Sequence, residues 1–435
     1  MKIIGIIAEY NPFHNGHAYQ IKKIKEELQA DYVVVAMSGD FVQRGAPAIV
    51  DKYARTQMAL NCGADLVIEL PVLWATASAE YFAMAGVTLF EKMGCVDGIC
   101  FGAETDNLKV LSQIADVLVA EPDHYRVTLS SYLKEGLAFP VARSKALCEY
   151  LGASDDVSSI LNEPNNILAI EYLKALKRRG SSMKPHVLKR EGAGYHDEAI
   201  LDATNFSDAV PTASATAIRK MLADISANSN QPVGNDFTAD VSYFEKLASA
   251  MPASALETLK AYSIGNVLLQ PNDFSSILGY KLLTSDVGIL SDIGDSNPDV
   301  SNRLFKNRMN FSSFEQFCEL SKSKDVTYTR ISRILLHLIL NITSESYLFG
   351  KELDYVPYLR MLGFRKDASA LLKELKNTAT APIISKLADA SSLLSDNAMV
   401  LLEKDIFAAD LYSQTCANKL GTTPQSEYTR NIVII

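Results

Sequence analysis

Cysteine is scarce in this chain and is not arranged in the pairs that are typical of metal or redox sites. The six cysteines in 435 residues are scattered, and none forms a CxxC pair: Cys62, Cys95, Cys100, Cys148, Cys318 and Cys416. This spacing argues against a disulfide framework and against a structural zinc site. It favours a reducing compartment, and we expect a cytoplasmic protein.

Long apolar runs are missing as well. No stretch approaches the roughly 20 apolar residues of a membrane span, and the first residues lead into a strand without the pattern of a secretory signal. We therefore expect no membrane partner. A hydrophobic content of 48% with 21% charged residues is ordinary for a globular protein, and the length allows two or three domains.

Net positive charge is the third absence. The formal net charge is −9 at pH 7, so an RNA partner would need a local basic patch. Each candidate for such a patch is more commonly a solvated side chain than part of a binding surface. The candidates are Lys177, Arg178, Arg179, Lys184, Lys189, Arg190, Arg303, Lys306, Arg308, Lys322, Lys324, Arg330 and Arg333.

Strand and helix patterns alternate up to about residue 200, which predicts a Rossmann-like α/β fold with a doubly wound parallel sheet. Strands are predicted over residues 2–7, 31–37, 64–70, 98–101 and 187–190. Ligands of such sheets bind outside the carboxyl ends of the strands. The turns after the first, second and fourth predicted strands should therefore face one crevice.

The apolar spacing becomes helical after a polar, turn-rich stretch at residues 228–235. Two stripes predict core helices: Leu256, Leu259, Tyr262 and Ile264, and then Ile331, Ile334, Leu335, Leu338 and Ile339. Residues 285–301 are rich in Asp, Gly and Ser and are predicted to be a loop. We therefore expect an ATP-binding α/β domain over 1–226 and a mostly α-helical domain over 236–435.

Two histidines, His14 and His17, lie where the first strand turns into a helix, in MKIIGIIAEYNPFHNGH. Backbone N–H groups and the helix dipole make such a junction a natural phosphate site. Two imidazoles on one turn add donors for charge that develops on an α-phosphate. The tetrad resembles the HxGH motif of the nucleotidyltransferase and class I synthetase superfamily, and Gly16 allows close approach of the nucleotide.

A second segment, Ser214 to Arg219, resembles the Ser-Ser-Thr-x-Ile-Arg motif of the same superfamily. Ser214, Thr216, Ile218 and Arg219 match, while Ala215 replaces one serine and removes one hydroxyl. The resemblance implies that hydroxyls and amides at this helix start contact the triphosphate, assisted by the arginine.

Several longer runs together resemble the bacterial tRNA(Met) cytidine acetate ligase family. They are GIIAEYNPFHNGH, MSGDFVQRG, DKYARTQMAL, GADLVIELP, FGAET, PNNILAIEYLKAL and REGAGYHD. The resemblance implies that ATP activates acetate as acetyl-adenylate, with release of pyrophosphate. The acetyl group then passes to the wobble cytidine of elongator tRNA(Met) and gives N4-acetylcytidine. Mg²⁺ is expected with ATP, although no carboxylate cage for it is evident.

The resemblance also implies a set of site residues. The catalytic group would be His14, His17, Asp40 and Arg219. The nucleotide would contact Ile7, Ala8, Glu9, Tyr10, Asn11, Pro12, Phe13, His14, Asn15, Gly16, His17, Gln20, Gly102, Asn165 or Asn166, Arg190, Ser214 and Thr216. An Asn that begins a helix is as readily its N-cap.

The remaining candidates carry weaker expectations. Asp40, Gln43 and Arg44 should lie where a second substrate meets the nucleotide, unless they form an ordinary loop ion pair. Lys52 and Arg55 either reach phosphates or are solvated. His196 and Asp197 are either a proton-handling pair or part of a structural loop. The other histidines, His124, His186 and His337, have no evident partners.

Two other functions are compatible with the phosphate motifs. One is a small-molecule nucleotidyltransferase that adenylylates a phosphorylated metabolite, for which the helical second half would be superfluous. The other is a nucleotide- or RNA-binding protein without catalysis, which the intact histidines and Arg219 disfavour. The sequence leaves the oligomeric state open.

Overall fold

A computed structural model describes residues 1–152, 154–190, 214–228 and 241–435, without the side chains of 154–156, 225–228 and 241–244. The strands in this part of the chain are β1 (Ile3–Ala8), β2 (Tyr32–Ser38), β3 (Phe41–Val42), β4 (Ala46–Pro47), β5 (Leu66–Leu70), β6 (Gly98–Ala103), β7 (Lys184–Lys189), β8 (Leu359–Phe364), β9 (Ile383–Ile384) and β10 (Val433–Ile434).

Helices cover most of the rest. Those of the first half are α1 (Asn15–Glu26), α2 (Lys52–Asn61), α3 (Val72–Ala75), α4 (Ala79–Met93), α5 (Leu108–Ala120), α6 (Asp123–Lys134), α7 (Phe139–Leu151), α8 (Ser154–Asn162), α9 (Pro164–Arg179) and α10 (Ala215–Asn228). Those of the second half are α11 (Val241–Ala250), α12 (Ala253–Gly265), α13 (Ser275–Thr284), α14 (Val287–Asp292), α15 (Pro298–Asn307), α16 (Phe314–Ser321), α17 (Tyr328–Leu340), α18 (Ser344–Glu352), α19 (Ser369–Thr378), α20 (Ala390–Leu393) and α21 (Asp396–Leu420).

The main sheet has eight strands in the order β10-β8-β5-β2-β1-β6-β7, with β9 also paired to β8. The five strands that the first half contributes to this sheet, β1, β2, β5, β6 and β7, are all parallel, whereas β3 and β4 form a separate antiparallel pair. Numbered along the chain, these five strands have the order 3-2-1-4-5, as in a doubly wound dinucleotide-type sheet. The chain reverses its direction of winding between β1 and β6, so a ligand crevice is expected at the carboxyl ends of these two strands.

The strands β1 and β6 separate toward that end. β1 pairs with β2 from Ile3 to Ala8 but pairs with β6 only at Ile4 and Gly5. Above this short ladder, Gln20 of α1 donates from Nε2 to the Cys100 carbonyl of β6 at 3.1 Å. The Cys100 carbonyl thus receives a hydrogen bond from the helix that follows β1, beyond the point where β1 and β6 are paired.

Apolar side chains cover both faces of the sheet. Along β2, Val34 and Ala36 belong to one buried cluster, whereas Val33, Val35 and Met37 belong to the other. A strand that is apolar on both faces is the pattern of a parallel sheet under two helical layers. The predicted fold class is confirmed. Asp51 is the N-cap of α2, because its side chain accepts a hydrogen bond from Ala54 N.

The structure also differs from the sequence prediction. The mostly helical second half contributes β8, β9 and β10 to the main sheet, and β8 runs antiparallel to β5. The loop prediction for residues 285–301 is wrong, since this stretch holds α14 and the start of α15. The sequence interpretation also missed α5 to α8.

Most of the apolar stripes lie in the core, as predicted. Every residue of the stripe in α17 is buried, and so are Leu256, Leu259 and Tyr262, whereas Ile264 is exposed. Most of the proposed boundary at 228–235 lies outside the described residues. No helix in the described ranges is long and apolar enough to span a membrane.

Candidate functional site

The turn between β1 and α1 fixes both histidines through the backbone. His14 is the N-cap of α1, and its Nδ1 accepts a hydrogen bond from Gly16 N at 3.1 Å. In return His17 Nδ1 accepts from His14 N at 3.2 Å. The two rings stack with centroids 3.7 Å apart, so one capping box orients both imidazoles.

This geometry determines the tautomer of both neutral rings. Each Nδ1 accepts a backbone N–H and therefore carries no proton. The proton of each neutral ring must lie on Nε2, on the side of the ring away from the Nδ1 contact. Both histidines thus present an N–H donor, which is the group that a phosphate oxygen requires.

Burial and nearby cations keep these donors neutral. Burial, followed by the charges of Arg190 and Arg219, lowers the pKa of His14 to about 3. Burial, His14 and Arg190 likewise lower the pKa of His17 well below its usual value. At neutral pH the site therefore combines two uncharged donors with guanidinium groups.

The second motif packs directly onto the first. Arg219 of α10 donates from Nη1 to the Asn11 carbonyl at 2.7 Å, across 208 positions of sequence. Its Nη2 donates to Thr216 Oγ1 at 3.0 Å. Ser214 Oγ accepts from Ala217 N at 3.1 Å and so caps the start of this helix. The structure therefore brings Arg219 and Thr216 against the turn that carries the histidines.

The ends of β6 and β7 form the opposite side of the crevice. Arg190 N donates to the Ala103 carbonyl at 2.9 Å. The Arg190 side chain lies next to Gly102 at the end of β6, where a Cβ on the glycine would be in ordinary van der Waals contact with Arg190 Cγ at 3.4 Å. Gly102 and Arg190 are thus adjacent, as the predicted nucleotide site requires.

The two asparagines at the start of α9 differ in role. Asn166 is buried, and its Oδ1 accepts from Glu104 N at 2.9 Å and from Thr105 N at 3.1 Å. Asn165 Nδ2 donates to Glu104 Oε1 at 2.5 Å. Neither is the N-cap, which is Glu163. Asn166 therefore shapes the loop after β6. The side chain of Asn165 is hydrogen-bonded to the Glu104 carboxylate of the same loop.

Other residues of the predicted 7–20 segment stabilise the turn itself. Asn11 Oδ1 accepts from Ile49 N at 2.8 Å, and Asn15 Nδ2 donates to the Ser249 carbonyl at 2.8 Å. The rings of Tyr10 and Phe13 lie 4.7 and 5.4 Å from the His17 ring. The turn is thus supported by the segment around Ile49 and by the second half.

Arg55 is a supporting residue whose role the sequence interpretation missed. It is fully buried, so the expectation of a solvated or phosphate-binding side chain is wrong. Its Nη1 donates to the carbonyls of Glu9 at 2.7 Å and Ser38 at 3.0 Å, and its Nη2 donates to Gly39. One guanidinium therefore joins the exits of β1 and β2. Its position three residues before Met58 and four before Ala59, on the same side of a predicted helix, was the available signal in the sequence.

Lys52 is buried as well, in an ion cluster beside the site. Its Nζ lies 2.8 Å from Glu69 Oε1 and 2.8 Å from Glu427 Oε1. Arg360 closes the cluster by pairing with both glutamates. Lys52 was expected either to reach phosphates or to be solvated. Both expectations are wrong, because its ammonium group is ion-paired with these two buried carboxylates.

Asp40 lies next to this cluster. Its Oδ1 accepts from Lys52 N at 2.8 Å, and burial raises its pKa to about 7 even though the charge of Lys52 opposes this. It lines a cavity of about 220 Å³ together with Tyr262 and Arg430, to which no residue of the 7–20 segment contributes. The structure does not bring Asp40 into one cavity with the histidines, and its role near acetate stays a prediction.

The other candidates lie elsewhere. His196 and Asp197 fall outside the described residues. His337 is buried and contacts the Gly294 and Thr76 carbonyls, so it joins α17 to the chain after α3. His124 is exposed, and His186 is half-buried in β7.

Many of the basic candidates pair within the fold. Lys177 pairs with Asp116, Arg178 with Glu80, Arg179 with Glu91 and Asp354, Lys322 with Glu319, and Arg333 with Asp295. Lys306 and Lys324 are exposed. Among the described side chains, no group of three or more His, Cys, Asp or Glu is arranged to bind a metal ion.

Sequence comparison identifies relatives that match nearly the whole chain. The HIGH Nucleotidyl Transferase family matches residues 1–427. A tRNA(Met) cytidine acetate ligase of Thermoanaerobacter sp. (strain X514) is 41% identical over 420 residues, which are 96% of each chain. The Acetivibrio thermocellus protein of the same name is 36% identical over 436 residues, with both chains fully covered.

Solved structures give a matching fold. Thermotoga maritima TmcAL bound with alpha-thio ATP superposes with a TM-score of 0.85 at 26% identity, over 100% of this chain and 99% of that chain. Its apo form superposes with a TM-score of 0.88 at 26% identity, over the full length of both chains.

Proposed function

Because this chain belongs to the HIGH nucleotidyl transferase family, and within it to the tRNA(Met) cytidine acetate ligases, we propose that it joins acetate to a tRNA cytidine at the expense of ATP. The family resemblance predicted from the sequence is thereby confirmed. The observation that carries the proposal is the pair of neutral imidazoles with Nε2 donors, beside Arg219, at the carboxyl end of β1.

The first step is adenylation. A carboxylate oxygen of acetate attacks the α-phosphorus of ATP, the bond from this phosphorus to the bridging oxygen breaks, and pyrophosphate leaves with the electron pair. Such a transfer requires positioning and charge stabilisation rather than a covalent protein intermediate. His14 and His17 would donate to the α-phosphate oxygens, and Arg219 would offset the charge on the leaving group.

The nucleotide would lie across the separated ends of β1 and β6. Gly102 would lie beneath the adenosine, and Arg190 would cover it from β7. Asn165 would contact the nucleotide, whereas Asn166 fixes the loop after β6 through the Glu104 amide. Mg²⁺ would be held chiefly by phosphate oxygens and water, as is usual for this ion with nucleotides.

The second step transfers the acetyl group. The N4 amine of the wobble cytidine in elongator tRNA(Met) attacks the acetyl carbonyl, AMP leaves with the electrons of the acyl–oxygen bond, and N4 loses a proton. A cytidine of an anticodon loop can be presented outside a duplex. Exposed lysines of the second half, Lys306 and Lys324, are the side chains we propose for contact with tRNA phosphates. This reaction would take place in the cytoplasm.

Acetate-dependent exchange of labelled pyrophosphate into ATP tests the first step. We expect exchange with acetate alone, and incorporation of labelled acetate once elongator tRNA(Met) is added. A transcript with uridine in place of the wobble cytidine is the matched control and should accept no label. If no exchange occurs with acetate but a phosphorylated metabolite is adenylylated, the small-molecule nucleotidyltransferase replaces this proposal.

A further inference from the structure

The second step of the proposed reaction needs an acceptor for the proton that N4 of cytidine loses. Neither His14 nor His17 can be this acceptor. Each Nδ1 already accepts a backbone N–H, each Nε2 carries the proton of the neutral ring, and burial holds the pKa of both rings far below its usual value. The guanidinium groups of Arg190 and Arg219 are donors only. Carboxylates at the exits of the strands are the other candidates.

Glu9, Asp40 and Glu104 lie at the exits of β1, β2 and β6. Both carboxylate oxygens of Glu104 accept hydrogen bonds from the two asparagines at the start of α9. Asp40 is buried and lines a separate cavity, and its Oδ1 accepts from Lys52 N at 2.8 Å. Of these three carboxylates, Glu9 is the one whose position and contacts suit a base of the crevice.

Glu9 directly follows β1, at the point where the strand becomes accessible to solvent. Residues 3–6 are buried, whereas Ile7, Ala8 and Glu9 are half-buried. Glu9 Oε1 accepts from Gln43 N at 3.0 Å, and Oε2 accepts no hydrogen bond from any residue in the described ranges. One oxygen therefore fixes the carboxylate, and the other is available to a substrate.

The elements around Glu9 hold its carboxylate on the side of β1 that faces β2. Arg55 Nη1 donates to the Glu9 carbonyl at 2.7 Å and fixes the backbone. Gln43 belongs to the β3–β4 hairpin that follows β2, and this hairpin is bound to α17 because Ser332 Oγ donates to the Gly45 carbonyl at 2.8 Å. The nucleotide would lie on the opposite side of β1, across β6. Glu9 would therefore face a cytidine that approaches the adenylate from the side of β2.

We propose that Glu9 is the general base of acetyl transfer. The lone pair of N4 forms the bond to the acetyl carbon while the π electrons of the carbonyl move onto its oxygen. Glu9 Oε2 accepts the proton from N4. The carbonyl then forms again, the bond from the acetyl carbon to the phosphate oxygen breaks, and AMP leaves with that electron pair. The proposal rests on the proposed function, because it takes acetyl-adenylate at the HNGH turn as the acyl donor.

Glu9→Gln tests this role, because the amide keeps an oxygen that can accept from Gln43 N but cannot take up the proton. The measurements are acetate-dependent pyrophosphate exchange and single-turnover transfer of labelled acetyl from preformed acetyl-adenylate to saturating elongator tRNA(Met). We expect the ratio of the transfer rate to the exchange rate to fall about 100-fold or more, within the usual contribution of a general base.

Two further variants complete the series. Glu9→Asp, which keeps a carboxylate on a shorter side chain, should lower the ratio of transfer to exchange less than Glu9→Gln does. Glu26→Gln is the control, because Glu26 is an exposed glutamate of α1 that pairs with Lys22. It should leave both rates unchanged.

Three results would overturn the role of Glu9. Equal losses of transfer and exchange in Glu9→Gln would assign Glu9 to support of the nucleotide site. Wild-type rates of both would show that the proton goes to another acceptor, such as the departing phosphate. A selective loss of transfer in Asp40→Asn but not in Glu9→Gln would assign the base to Asp40. Absence of acetate-dependent exchange in the wild type would instead refute the proposed function.

Discussion

At the scale of single residues, the central feature is that both histidine side chains accept hydrogen bonds from backbone N–H groups of their own turn. Each Nδ1 is an acceptor for the capping box, so the tautomer is selected by the turn and does not depend on a bound ligand. The conformational entropy of these donors is therefore lost during folding, before ATP binds. This preorganisation is what electrostatic catalysis requires.

Replacement of His17 by alanine should lower the rate of acetate-dependent exchange about a hundredfold or more, as expected for loss of one transition-state donor. The measurement is the exchange rate at saturating ATP and acetate, with folding checked by circular dichroism. His124→Ala, at an exposed histidine of α6, is the control. A folded His17→Ala protein with wild-type rates would remove this histidine from the mechanism.

Asp40 makes stability depend on pH in a defined direction. Its pKa is raised from 3.8 to about 7, so the folded chain retains a proton that the unfolded chain has lost. The stability that this group contributes is therefore lost as the pH rises through 7. In Asp40→Asn, the free energy of unfolding relative to wild type should increase from pH 5 to pH 8, by at most about 1.4 kcal/mol per pH unit.

Urea denaturation at several pH values measures this difference. Asp116→Asn, at an exposed aspartate of α5, should give a curve parallel to that of the wild type. A parallel curve for Asp40→Asn as well would show that this carboxyl does not titrate between pH 5 and 8.

At the scale of elements, the loop after β6 owes its shape to the start of α9. Asn166→Ala would leave the amides of Glu104 and Thr105 without their acceptor, which should lower the free energy of unfolding by about 1–3 kcal/mol. ATP affinity should fall together with stability. Thermal unfolding and ATP titration measure the two effects.

The neighbouring Asn165→Ala is the matched variant. If Asn165 contacts the nucleotide, it should lower ATP affinity while the melting temperature stays close to wild type. Loss of stability without loss of ATP affinity in this variant would contradict its place in the nucleotide site.

Local patterns located some elements and misplaced others for physical reasons. The strands of the parallel sheet were predictable because a strand buried on both faces is a short, continuous apolar run. The stretch 285–301 was predicted to be a loop because it is rich in Asp, Gly and Ser, which favour turns. In the structure Asp286 and Asn297 are N-caps, of α14 and α15 respectively. The same side chains favour both roles.

At the scale of the whole molecule, the buried ion cluster joins the two ends of the chain. Tyr53 OH donates to Glu427 Oε1 at 2.7 Å across 374 positions. Burial opposes ionisation of Glu427, but Lys52 and Arg360 lower its pKa to about 2. No local pattern contains such a contact, and for this reason the burial of Lys52 could not be predicted.

Glu427→Ala should lower the free energy of unfolding by about 3–5 kcal/mol at pH 7, since it leaves Lys52 and Arg360 with less compensation for their buried charge. The difference should shrink as the pH falls below about 4, where the unfolded carboxylate is protonated. Lys419→Ala, which breaks a more exposed pair with Asp273, should change stability by less than about 1 kcal/mol. Similar losses in both variants would contradict this account.

The antiparallel pairing of β5 with β8 has a consequence for synthesis of the protein. β5 ends at Leu70 and β8 begins at Leu359, so the ribosome makes most of the chain before one edge of the central sheet can be closed. Until then the nascent chain presents an apolar strand with unpaired backbone groups, the kind of edge to which other chains add. A nascent chain is therefore open to strand pairing with other molecules along this edge until residues 359–364 have been made.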